Sequence, residues 1–176
     1  MQPGLSKKFQ NNLTRKVEIM DKPSKFPHPP FIKILNGMAV LSMFVSLPLP
    51  FLFWSELPDS IPHHFDISGR PDSWGGKGII FVMPVVNFLI TTLLFSFRVP
   101  GKNARQYYHA QLSLSFFRLW VAGFCTYIEW MMIQIALGNA QDLGKWFSPI
   151  FLGVIVVILG YASVALYVTD NSNDWN

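Results

Sequence analysis

Four long apolar stretches dominate this 176-residue chain, at about residues 31–54, 78–97, 114–137 and 147–168. Each approaches the ~20 residues that an α-helix needs to cross a ~30 Å hydrocarbon layer. Inside lipid every backbone N–H and C=O must be paired within the segment, so these stretches are expected to be helices. Only 14% of the residues are charged, against about 25% in a soluble domain. Too little polar sequence remains to cover four buried helices. The pattern predicts an all-α integral membrane protein with four transmembrane helices and one structured extracytoplasmic loop, residues 55–77. It also names its first partner, the lipid bilayer.

Orientation follows from the positions of Lys and Arg. Lys7, Lys8, Arg15, Lys16, Lys22, Lys25 and Lys33 precede or open the first span, and Arg98, Lys102 and Arg105 follow the second. Only Arg70, Lys77 and Lys145 fall in the alternate loops. Both termini are therefore expected in the cytoplasm, with residues 55–77 and the short connection 138–145 outside. The first apolar run follows some thirty polar residues and is too long for a cleavable signal, so it is expected to remain as a signal anchor. Residues 1–30 are basic and carry five prolines. They are expected to form a flexible cytoplasmic tail that fixes topology. Residues 169–176 form a second short tail. The net charge of +4 resides in this topological bias and implies no nucleic-acid partner. One cysteine, Cys125, excludes an internal disulfide framework and a multi-cysteine metal cluster.

Inside the spans a few residues break the apolar rule. Leu47-Pro48-Leu49-Pro50 should kink or end the first helix near Ser46, because proline lacks an N–H and clashes with the preceding turn. Phe51, Phe53 and Trp54 would then sit at the outer interface. In the second span Asn87 and Thr91 lie one turn apart. The third span holds Arg118 and Glu129, which share a face because eleven residues at about 100° each return nearly to one azimuth. Gln111, Ser115, Ala122, Cys125 and Thr126 fall near that stripe, which should face the bundle interior. Arg118 and Glu129 stand roughly 16 Å apart along the axis, too far to pair. Arg118 is expected to snorkel to the headgroups as an interface anchor. Glu129 and Asn87 come out at similar depth, which predicts a hydrogen bond between them. A carboxyl at that depth is either functional, taking a proton or touching a ligand, or a structural interhelical contact. Gly153 and Gly160, seven residues apart, offer a helix-packing face in the fourth span.

The loop Leu57–Lys77 collects the polar chemistry. Pro58 and Pro62 hold the backbone extended, Gly69, Gly75 and Gly76 permit positive φ, and Arg70-Pro71-Asp72 reads as a turn. A loop so stiffened can fix Asp59, His64, Asp66, Asp72 and Lys77 at the membrane surface. Asp72, His64 and Lys77 could equally serve to tie the loop down. Adjacent residues in an extended segment point apart, so His63 and His64 do not make one metal site, and no zinc-like spacing stands out. Neither a catalytic residue, nor a metal, nor a cofactor is expected.

The run Leu57-Pro58-Asp59-Ser60-Ile61-Pro62-His63-His64-Phe65, followed by Gly69, Asp72 and Lys77, resembles the bacterial membrane domain of unknown function found at the N-terminus of Sdp-type toxin immunity proteins. That pattern is LP-D-x-IP-x-HF, then Gly, Asp and a Lys opening the next helix, and the resemblance spans residues 40–95. It implies a bacterial plasma-membrane protein that is non-enzymatic, immunity-like or envelope-sensing, and that recognises a peptide toxin or a protein through the outer loop. Two other classes stay open: an accessory subunit of a larger membrane complex, docking through Gly153, Gly160 and the polar face of span three, and a metal-dependent membrane enzyme.

Overall fold

A computed structural model describes residues 29–97, 99 and 104–171, with backbone alone at residues 166 and 168–171. The expected tail therefore lies outside the described residues except at Pro29 and Pro30, as do Arg98, Lys102 and residues 172–176. Helix α1 (Pro30–Ser46) is followed by the short α2 (Leu49–Phe53). A β-hairpin follows, β1 (Ser60–Phe65) and β2 (Pro71–Gly76), then a 3₁₀ segment (Lys77–Phe81) that leads into α3 (Val82–Ser96). The last two helices are α4 (Ala104–Ala136) and α5 (Phe147–Asn171).

Four helical segments are long and apolar enough to cross a membrane: Pro30–Phe53, Lys77–Ser96, Ala104–Ala136 and Phe147–Ala165. Their outward faces carry Ile34, Leu41, Phe44, Leu89, Leu93, Leu152, Val156 and Val164, all exposed. Exposed apolar surface on this scale is what contact with lipid requires and what water does not tolerate. The chain is a multi-pass membrane protein by that measure.

Helix α4 is the axis of the bundle and packs against α1, α3, α5 and strand β1. Its 33 residues span about 50 Å, so it starts ten residues before the expected span and overshoots the tail ends of α1 and α3. The extra turns hold Arg105, Gln106, Tyr107 and Gln111, helix formers too polar to register in a hydropathy window. At its other end α4 stops in a Schellman motif. Gly138 has φ +77°, its N–H reaches the Ile135 carbonyl at 3.0 Å, and Asn139 N–H reaches Gln134 at 2.9 Å. These bonds satisfy carbonyls that the helix leaves unpaired.

The helix break at Ser46 is present: α1 ends there and α2 restarts at Leu49. The loop departs from an all-α fold, because residues 60–76 form a two-stranded antiparallel sheet. Its turn is also displaced from the expected Arg70-Pro71-Asp72. Asp66 and Arg70 close it (Asp66 N–H to Arg70 carbonyl, 2.9 Å), while Pro71 already pairs with Phe65 as the first residue of β2. Proline is admissible there because a first strand position needs no ladder N–H.

The hairpin is seated on an apolar cluster of Leu49, Leu57, Ile61, Ile80, Met132 and Ile133. Ile61 lies opposite Gly75, so no cross-strand side chain fills its place, and it is wholly buried. At the far end the turn reaches the connection between α4 and α5. The Gly69 carbonyl accepts from Leu143 N–H (2.8 Å), and the Ile67 carbonyl accepts from Ser148 Oγ (2.6 Å). Gly69 has φ +82°, and a Cβ there would meet Leu143 Cβ at 3.1 Å. The positive φ calls for glycine, and a Cβ would also require Leu143 to give by a few tenths of an ångström.

Candidate functional site

Two polar assemblies stand out, one on the hairpin and one between the helices. On the hairpin, the register slips between Pro62 and His64 and again before Phe65. The bulge leaves both His63 and His64 exposed. His64 Nδ1 meets Asp72 Oδ1 at 2.5 Å, and His63 Nε2 meets Ser73 Oγ at 3.3 Å. Each histidine thus bonds across to β2. The side chains of His64 and Asp72 are 67% and 44% exposed, so the pair is open to a visitor.

Of the five residues expected as one constellation, only His64 and Asp72 touch. Lys77 turns away, with Nζ 4.7 Å from the centre of the Trp54 ring, a cation–π contact at the rim of the bundle. Asp59 joins it only through the backbone, where Lys77 N–H donates to the Asp59 carbonyl at 2.9 Å. Trp54 and Phe51 both pack on Phe81, and Phe53 on Trp130. No cluster of three or more His, Cys, Asp or Glu suited to a metal ion occurs among the described residues.

Asp66 organises the turn. Its Oδ1 accepts from Ser68 Oγ (2.6 Å), Ser68 N–H (2.8 Å) and Arg70 N–H (2.9 Å). The Ser68 hydroxyl, then the Arg70 N–H, hold this carboxyl below its ordinary value of 3.8. A depressed carboxylate supports the fold above the unfolded value and loses that support as pH falls through the folded one. The turn is therefore expected to stay intact down to pH 3.8 and to loosen below it. A ¹³C titration of the Asp66 carboxyl should give a midpoint under 3.8; a midpoint at or above it would show that these bonds do not favour the charged form.

Between the helices the polar residues sort into three levels. Nearest the hairpin, Glu129 is fully buried and accepts from Ser46 Oγ of α1; its Oε1 has no hydrogen-bond partner. One turn further in, Thr126 joins three helices. Its Oγ1 lies 2.9 Å from Ser42 Oγ and accepts from Asn87 Nδ2 at 3.1 Å, while Thr91 Oγ1 donates to Asn87 Oδ1 at 3.1 Å. The expected Asn87–Glu129 bond is therefore corrected: Asn87 bonds Thr126, and Ser46 takes its place on Glu129. The 3₁₀ segment contributes to the error, since it rises about 2.0 Å per residue against 1.5 Å for an α-helix and carries Asn87 deeper than helical counting allows.

At the third level Arg118 stands near the end of α3, as counted, but points inward. It is 5% exposed and donates to the carbonyls of Leu94 (3.1 and 3.0 Å) and Phe97 (3.1 Å) and to Asn36 Oδ1 (3.3 Å). Its guanidinium also lies over the Phe95 ring at 4.6 Å. The expected headgroup anchor is instead a cap for the last turn of α3, whose carbonyls have no intrahelical partner. Ser42, Ser46 and Asn36 were not singled out from the sequence. The signal was present in Ser42 and Ser46, one turn apart in an otherwise apolar span. Gly153 and Gly160 are exposed, and a Cβ at either would meet nothing within 4 Å.

Residues 41–88 match a family described as a domain of unknown function (DUF1648). No curated protein and no solved structure matches the chain. The DUF1648 segment covers just over a quarter of the 176 residues. It runs from the second half of α1 through the hairpin into α3. It therefore contains the His64–Asp72 pair and the Ser42, Ser46 and Asn87 side of the interhelical network, while α4 supplies Thr126 and Glu129 from outside it.

Proposed function

We propose that the chain is a non-enzymatic bacterial plasma-membrane protein whose hairpin, facing outward with both termini in the cytoplasm, recognises a peptide or protein in an immunity-like or envelope-sensing role. The observation that carries this reading is the exposed His64–Asp72 pair on a hairpin held at both ends. Its base is packed on the Ile61 cluster and its tip is bonded to Leu143 and Ser148. A surface fixed in this way loses little conformational freedom on binding. The likeness of the loop to that of Sdp-type immunity proteins supports a peptide toxin as the ligand class, and the lysine and arginine distribution supports the orientation.

The test is co-purification from native membranes in mild detergent. A partner held by the wild-type chain should fall at least tenfold with Asp72→Ala and with His64→Ala, equivalent to about 1.4 kcal/mol of binding. Equal recovery with both variants would remove the hairpin pair from recognition. The open glycine stripe of α5 favours a second reading, an accessory subunit docked through Gly153 and Gly160, without the polar face of α4, which is buried within the bundle. In that case Gly153→Leu would release the partner and Asp72→Ala would not.

A further inference from the structure

A groove of about 1100 Å³ lies between α4 and α5. Its walls include Trp120, Phe124, Phe147, Phe151, Val154 and Ile158, with Phe124 and Phe151 stacked at 4.0 Å between ring centres. This face of α5 is a different stripe from that of Gly153 and Gly160. No described residue of α5 is buried, so nothing in the described chain covers the groove.

Its two ends differ. At the hairpin end the lining includes Lys145 and Trp146, and Gly69, one residue from Arg70, lies against Leu143 and Gly144. Both cations are exposed. Arg70 has the Asp66 carboxylate as its electrostatic neighbour, and Asp142, three residues before Lys145, accepts from Gly144 N–H (2.7 Å). At the other end Tyr161 lines the groove and its hydroxyl meets His109 Nδ1 at 2.6 Å, tying α5 to α4. From Phe147 to Tyr161 is about 21 Å of helix, which exceeds one leaflet's share of a ~30 Å hydrocarbon core.

We infer that this groove holds an anionic phospholipid, its phosphate at Lys145 and one acyl chain along the aromatic wall. The apolar length takes the chain, Lys145 takes the charge, and Trp146 sits where an indole meets the headgroup layer. A third helix would gain from the apolar wall but would leave Lys145 at the mouth without a counter-charge.

Native mass spectrometry of the full chain in detergent, with phosphatidylglycerol and phosphatidylcholine supplied in equal amounts, tests this. Phosphatidylglycerol should be retained preferentially. Lys145→Gln should reduce that preference about fivefold, the usual worth of one basic residue at an anionic surface. Gly123 lines the groove and has space for a Cβ, so Gly123→Leu should displace both lipids while circular dichroism stays helical. Equal retention of the two lipids by the wild-type chain overturns the inference, whether or not the variants fold. So does a dimer that appears without lipid and disappears in Gly123→Leu, which would make a second copy the occupant.

Discussion

Arg118→Leu should destabilise the protein by about 2–4 kcal/mol, the largest loss expected from any single polar substitution in the bundle. Arg118 makes four hydrogen bonds, three of them to the Leu94 and Phe97 carbonyls. A bond to a charged donor contributes about 1.5–3 kcal/mol, whereas interhelical bonds within membranes average about 0.6 kcal/mol. Relief of the cost of burying the guanidinium works in the opposite direction. The orphaned carbonyls tip the balance, because in an apolar setting they have no water to turn to. Arg118→Lys should recover only part of the loss, since an ammonium cannot reproduce the planar fork that spans the two carbonyls. Asn36→Ala, which removes one bond to the same group, should cost less than either. Equilibrium unfolding in mixed micelles would measure all three. A loss below about 0.5 kcal/mol for Arg118→Leu would mean that α3 ends without this cap.

The order of these effects shows what the sequence could carry. Hydrophobic runs at membrane length marked all four helices, because lipid leaves the backbone no other choice. Proline marked the break at Ser46 for an equally local reason. Arg118, Glu129, Asn87 and Thr126 were legible as a polar stripe, yet their partners were not. Partnership depends on the relative depth of three helices, and the five-residue 3₁₀ start adds about 2.5 Å, roughly half a turn, to the depth of Asn87. Asn87 thereby meets Thr126, and Ser46 stands beside Glu129. The hairpin escaped for a different cause. Its strands are six residues each, carry Pro62 and Pro71, and lack the β-branched alternation that marks a strand. Tertiary support from Ile80, Met132 and Ile133 holds them, and that support is invisible in the segment itself. The aspartate, histidine and lysine of the loop lie close in sequence but do not form one constellation. Strand register divides them: His64 and Asp72 come together, and Lys77 goes to Trp54.

Ile61→Ala should separate the seat of the hairpin from the integrity of the bundle. Ile61 is wholly buried and packed among residues from α2, the 3₁₀ segment and α4. Truncating such a side chain costs about 2–5 kcal/mol, from lost burial and from the cavity that remains. Gly75 faces it across the sheet, so no neighbour on β2 can move in to fill the space. The loss should fall on the hairpin, because the polar contacts of α4 with α1 and α3 lie at Glu129, Thr126 and Arg118, which begin one turn beyond Met132 and Ile133 and continue away from the hairpin. Amide exchange should therefore accelerate across residues 60–76 while the helical amides of α3 and α4 keep their protection. Ile61→Val, which removes one methylene, should cost only about 0.5–1.5 kcal/mol and leave exchange near the wild-type rate. If the proposed recognition is correct, Ile61→Ala should also weaken partner binding with His64 and Asp72 both intact, since their surface would no longer be held in place. Uniform acceleration through the helices would instead make the hairpin and the bundle one cooperative unit. In that case the hairpin contributes to the stability of the whole protein, and its exposed pair cannot move independently of the helices beneath.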